Sequence, residues 1–280
     1  MTQRTLQSVI RSTPTSDGDG VKIRRLGLFN QRLADPFLML DELVSDDEKD
    51  YMGGFPPHPH RGMETLTYLR KGALHHKDHL GNRGEIRSGG AQWMSAGKGI
   101  IHSEMPELDG GGLHGFQLWI NLPAKEKMSD PKYRDVPSTE IPAIQLDNGG
   151  LINVIAGQWN IEDKDAAGPL DSLAADARYL DITLPAGESL ILPIEAELRP
   201  VAYVYEGELE SGQTVQPKSL LIYSIEGDEL TLTAKTDSKL LLLCGKPILE
   251  PVAHYGPFVM NTAEEIEQAI QDYNSGNFGQ

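Results

Sequence analysis

Short runs of apolar residues, broken at close spacing by Gly, Pro, Asn and Asp, make up most of the chain. METLTYL, FQLWINL, LINVIAG, RYLDITL, AYVYEGEL, LLIYSI and KLLLLCG have the length and composition of strands. In FQLWINL, Phe116, Leu118 and Ile120 share one face, and Gln117, Trp119 and Asn121 the other. LADPFLMLDEL reads as a further strand leading into a first barrel. The pattern predicts an all-β fold of sandwich or barrel type. One stretch departs from it. NTAEEIEQAIQDYNSG predicts a terminal helix, with Asn261 or Thr262 as N-cap and Glu264 and Glu265 in the first turn. Ile266, Ala269, Ile270 and Tyr273 form its apolar stripe, and Gly276 is its stop.

Residues 123–150 are polar and proline-rich and read as a connection between two β units. A short echo supports that division: YLRKGAL, ending at Leu74, and YVYEGEL, ending at Leu209, share Tyr, Gly and Leu at the same spacing. The expected domains are residues 1–130 and 131–280, the second ending in the helix. A chain of 280 residues suits two domains.

Charge narrows the partners. Lys and Arg number 25 against 41 Asp and Glu, a formal net charge of −16. That field repels phosphate backbones and argues against direct nucleic-acid contact. The single cysteine, Cys244, permits no intrachain disulfide and reads as a small buried hydrophobe. No run approaches the ~20 apolar residues of a membrane-spanning helix, and the N-terminal stretch lacks the apolar core of a signal peptide. The expectation is a cytoplasmic monomer with no membrane association.

The histidines change the picture most. Seven of the eight lie between residues 58 and 114, and residues 115–253 have none. If both units share a fold, only the first can carry a histidine metal site. His58 and His60, two apart before a strand-like run, can aim two imidazoles at one point. His102 and Glu104 form a second such pair. Together they could offer three imidazoles and a carboxylate, a set suited to Fe(II), Mn(II), Co(II), Ni(II), Cu(II) or Zn(II). It lacks the thiolates of a closed structural zinc site.

GGFPPHPHRGMETLTYLRKG and SAGKGIIHSEMP resemble the two cupin motifs. More narrowly, FPPHPHRGMETLTYL, QWMSAGKGIIHSEMP, HGFQLWINLP and HYGPFVMNTAEEIEQAI together resemble the pirin family, a bicupin branch. The resemblance implies two tandem cupin β-barrels with one metal in the first, iron(II) in the cell, held by His58, His60, His102 and Glu104. It implies a ligand-free barrel in the second half. Cupins more commonly take the carboxylate from the first motif, here Glu64; in pirins that residue stands nearby as a hydrogen-bonded or salt-bridged neighbour. The implied activity is a dioxygenase opening flavonols such as quercetin with O2, with Glu104 as the base. The alternative is an iron-dependent, redox-sensing regulator that binds a protein partner.

His75, His76, Asp78 and His79 form a solvated hairpin end, with His76 and Asp78 sharing a face. His114 is structural or lines the pocket. Trp93 and Met94 belong to core or pocket wall, and His254 to packing. KDAAGPLDSLAADA is loop.

Overall fold

Leu113–Asn121 shows how the alternation works out in three dimensions. In the computed structural model, which describes residues 2–280, this strand is central in a seven-stranded antiparallel sheet. Phe116, Leu118 and Ile120 are fully buried on one face. Gln117 and Trp119, on the other, line a cleft. Among the described residues the regular elements are strands, short 3-10 turns and one helix, Ala263–Ser275. That helix is too short and too polar to cross a membrane.

Two compact units are present, and each has the same plan of one seven-stranded and one four-stranded antiparallel sheet. In one unit the four-stranded sheet runs Phe55–His60, Ile100–Pro106, Ala73–Asp78, Arg83–Arg87. In the other it runs Ser189–Pro193, Glu229–Ala234, Leu209–Glu210, Thr214–Val215. The YxxxGxL echo marks equivalent places. Tyr68 and Tyr203 lie on the third strand of their seven-stranded sheets, and Gly72 and Gly207 make the turn into the smaller sheet with positive φ.

The units are not consecutive halves of the chain. One comprises residues 13–32, 37–139 and 248–280; the other comprises 1–12, 33–36 and 140–247. This differs from the expected division at residue 130 at both ends. Leu6–Arg11 pairs with Ser219–Tyr223, where Leu6 and Val9 pack on the second unit's core. The terminal helix packs instead on the histidine-bearing unit: Ile266 and Ala269 join Phe258, Met260 and Phe278 beside Ile101. Its caps are as the sequence predicts. Thr262 and Glu265 form a capping box, and Gly276 ends the helix in the left-handed conformation; such an N-cap contributes about 1 kcal/mol. The segment 123–150 is less of a linker than expected. Lys132–Val136 pairs with Ala91–Ser95, and Ala143–Gln145 pairs with Leu151–Ala156. Likewise KDAAGPLDSLAADA begins as a strand, Lys164–Ala167, paired with Gln158–Ile161.

The second unit has one continuous apolar core, from Leu146 to Cys244. Cys244 is fully buried there, and burial pushes its thiol up to about 12. In the first unit, buried apolar residues gather around Leu69 and Leu74, around Met63 and Val259, and under the terminal helix, among other groups. Buried polar side chains lie among them, including His60, Glu64, His76, His102 and Glu104.

Nothing in the pattern around Lys127 marks it out, yet it is deeply buried. It is 1% exposed, and its ammonium donates to Gly62 O (2.8 Å), Asn121 Oδ1 (2.7 Å) and Val259 O (3.1 Å). Burial lowers its pKa from 10.5 to about 8. Between those values the unfolded chain holds more protons than the fold, so this group makes stability rise with pH across that window. Lys127→Met should flatten the rise, read as the change in denaturation midpoint between the two ends of the window relative to wild type. Identical pH dependence in both proteins would contradict this.

Candidate metal centre

Phe55–His60 contains three prolines yet forms a strand. It lies at the edge of its sheet, where the missing N–H groups cost little. Its pairing to Ile100–Pro106 places His102 opposite His58, then shifts so that Glu104 meets Phe55. The extra residue falls at the prolines, and a bulge of this kind re-aims side chains. Beyond His60 the backbone is clasped by the C-terminal segment. Arg61 exchanges backbone bonds with Pro257 O (3.3 Å) and Val259 N (3.0 Å). Its guanidinium reaches Asp272 at 2.7 Å and lies 4.7 Å over the Phe278 ring. Gly62 has φ of +78°, and a Cβ there would sit 2.0 Å from Val259 O, so only glycine fits so close a crossing.

His58, His60 and His102 converge. Each offers a nitrogen, and the three nitrogens lie within 4.8 Å of one another. His60 and His102 are each 2% exposed. Burial holds both imidazoles well below their ordinary pKa, with the neighbouring histidines adding to the effect. They are therefore neutral and carry lone pairs. His58 Nδ1 lies 2.8 Å from Pro56 O, which can only accept, so the proton is on Nδ1 and the Nε2 lone pair is available. Neither nitrogen of His60 makes a hydrogen bond, and His102 Nε2 also has no partner. Buried nitrogens without partners are costly in an apolar setting. One from each of these two rings, at the point that the His58 ring also reaches, fits a metal ion.

Glu104 is 2% exposed, and its carboxylate turns to two chain donors. Thr67 Oγ1 lies 3.2 Å from Oε1, and Gln117 Nε2 lies 2.9 Å from Oε2. It does not belong to the close trio formed by the imidazoles. Glu64 is buried on Met63–Lys71, opposite Ser95 and Ile120. His114 bonds Glu42 Oε1 at 3.1 Å, and Trp93 is buried on Ala91–Ser95. Glu64, His114 and Trp93 do not line the cleft, whereas His254 does, stacked on Phe29 at 3.9 Å.

LHHKDHLG is not a solvated hairpin end. His76 is 1% exposed, and the Asp78 side chain is fully buried. The strand Ala73–Asp78 is interior to its sheet, flanked on both sides. It turns His76 and Asp78 inward and leaves His75 and Lys77 outside. His75, Glu85 and Glu107 form an exposed group of metal-binding type, but Arg87 already pairs with both carboxylates.

The cleft that opens at the histidines has a volume of about 750 Å³. His58, His60 and Gln117 lie on it, and Phe29, Met39, Phe55 and Trp119 supply apolar wall. Asp17 and Arg25 stand on its polar side, where Arg25 also holds Asp41 at 2.6 Å. Such a cleft has the size and mixed lining of a small-molecule site.

Comparison with known proteins places the chain. Residues 21–120 match the Pirin family, and residues 179–279 match the Pirin C-terminal cupin domain. A Vibrio cholerae protein provisionally named quercetin 2,3-dioxygenase is 49% identical over 275 residues, covering 98% of each chain. A pirin-like protein of Caulobacter vibrioides is 44% identical over 279 residues, covering 99% of this chain and all of its own. The crystal structure of quercetin 2,3-dioxygenase from Acinetobacter baumannii superposes with a TM-score of 0.90 at 34% identity, covering 99% of each chain. The doubled sheet plan, the ordered motifs and these relatives agree: the chain belongs to the pirin family of bicupin proteins.

Proposed function

We propose that this protein is a metal-dependent dioxygenase that opens flavonols such as quercetin, consuming O2 and releasing carbon monoxide. The observation that carries the reading is the meeting of three lone-pair imidazoles at an aromatic-walled cleft. The relatives named as quercetin dioxygenases support the substrate class. An Fe(II) ion held by His58, His60 and His102, with Glu104 as fourth donor, would supply Lewis acidity toward a chelating substrate and a redox-active contact for O2.

The chain's own groups do the rest. Phe29, Phe55 and Trp119 offer planar rings an apolar surface and displace water from it. Glu104 accepts the proton of the flavonol 3-hydroxyl. Thr67 and Gln117 hold its two oxygens in place, and Gln117, which also faces the cleft, links that carboxylate to the substrate space. The reaction runs in a chain we place in the cytoplasm as a monomer.

The test is metal analysis of the purified protein, followed by oxygen-electrode assays with quercetin after loading with each first-row metal. Metal-dependent uptake is expected. If no metal form consumes oxygen with any flavonol, the regulator that binds a protein partner becomes the better reading.

A further inference from the structure

We propose that Arg25 and Asp17 form a second recognition point in the cleft, one that takes a hydroxyl group of the substrate at a distance from the metal. The inference rests on the flavonol reading above and deepens it: the preferred substrates are planar chelators that carry a further hydroxyl.

Register across the seven-stranded sheet sets the two points apart. Arg25 lies opposite Asp41, and Asp41 lies opposite Gln117, so the three side chains share one face of the sheet. Both Arg25 and Gln117 line the cleft, and Gln117 holds Glu104 at 2.9 Å. Two strand spacings, about 10 Å, separate the backbone of Arg25 from that of Gln117. That span suits a molecule of several linked rings.

Arg25 is fixed in place and only partly used. Its Nε donates to Asp41 Oδ1 (2.9 Å), and its Nη2 donates to Asp41 Oδ2 (2.6 Å) and to Asp17 Oδ2. The two-point bond to a buried carboxylate sets the plane of the guanidinium. Among the described residues Nη1 has no partner, and it is open to solvent. It therefore keeps two N–H donors on a side chain that lines the cleft.

Asp17 supplies the opposite character. It is half exposed, its Oδ1 accepts from Gly18 N at 2.7 Å, and its oxygens retain free lone pairs. The turn after it is seated against the cleft wall. Asp19 N donates to Gly54 O at 2.9 Å, and a Cβ at Gly18 would lie 2.7 Å from the Phe55 ring.

Charge selects the group that binds. The cluster holds one guanidinium and two carboxylates, so a ligand carboxylate would be repelled. A hydroxyl fits both neighbours: its oxygen accepts from Arg25 Nη1, and its hydrogen is donated to Asp17. A bare ring edge would strip water from these groups and return no hydrogen bond, which is costly.

Titration calorimetry on iron-loaded protein under nitrogen, where no turnover occurs, compares quercetin with 3-hydroxyflavone. The latter keeps the chelating oxygens and has no further hydroxyl. Wild type should bind quercetin about 10- to 100-fold more tightly. Arg25→Lys keeps a cation beside the buried Asp41 but lacks Nη1. Asp17→Ala removes the acceptor and leaves the pairing of Arg25 with Asp41 in place. Each should close most of the gap, and in oxygen uptake the loss with quercetin should fall on KM, as for a contact made equally in ground and transition states. Equal affinities in wild type overturn the proposal, and so does an undiminished gap in both folded variants. Discrimination that is present in wild type and lost in the variants, with no oxygen uptake by any metal form, supports the hydroxyl subsite and removes the dioxygenase reading instead.

Discussion

Changing His58 and His102 together to alanine should leave the protein folded but without bound metal and without oxygen uptake on quercetin. The two rings face each other across paired strands, with centroids 4.4 Å apart, and each carries a lone pair toward the shared point. Removing both leaves His60 and Glu104 as the proposed donors. Loss of a mere outer partner of a metal ligand costs about 10- to 100-fold in affinity; loss of two direct donors should exceed that and bring metal content below detection after dialysis. The second unit offers no substitute. Where the first pairs His58 with His102, the equivalent strands of the second pair Leu190 with Leu232 and Leu192 with Leu230, all buried. Full metal retention in the double variant, or two equivalent tight sites in wild type, would show that the metal is held elsewhere.

The second large effect is expected for Glu104→Gln. Glutamine keeps the shape and one oxygen acceptor. That oxygen can still meet Gln117 Nε2, and the Thr67 hydroxyl can rotate to accept from the new N–H. The local structure should therefore survive while charge and basicity are lost. If Glu104 is only a ligand, excess iron should restore turnover. As the proton acceptor for the 3-hydroxyl, it should leave the iron-loaded variant slow by ~10²-fold or more. Full activity at full metal occupancy would remove it from proton transfer.

Much of this arrangement was legible because strand geometry is local. A spacing of two between His58 and His60 already implies a shared face, and the alternation in FQLWINL predicted which residues fill the core. The misreading of His76 has a physical cause. In LHHKDH both faces of the strand are polar, so no apolar period reveals which side is buried; His76 and Asp78 go inward on the face they share with the buried Leu74. Lys127 lies in a polar, proline-rich stretch, and nothing nearby in sequence reports its acceptors at Gly62 and Val259. The terminal helix was readable from its stripe and caps, but the surface it covers was not, since an amphipathic face carries no address. The same holds for Leu6–Arg11, whose partner strand lies more than two hundred residues away.

The exchange of terminal segments between units also dictates an order of events on the ribosome. Both histidine pairs are synthesised early, yet the backbone beside His60 is clasped only when residues 257–260 arrive. The guanidinium of Arg61 waits longer still, for Asp272 and Phe278. The second unit has the opposite wait: Leu6–Arg11 precedes its partner Ser219–Tyr223 by more than two hundred residues. The imidazoles are thus closed in by segments that lie some two hundred residues further along the chain, and the site is complete only once those segments have folded back onto it.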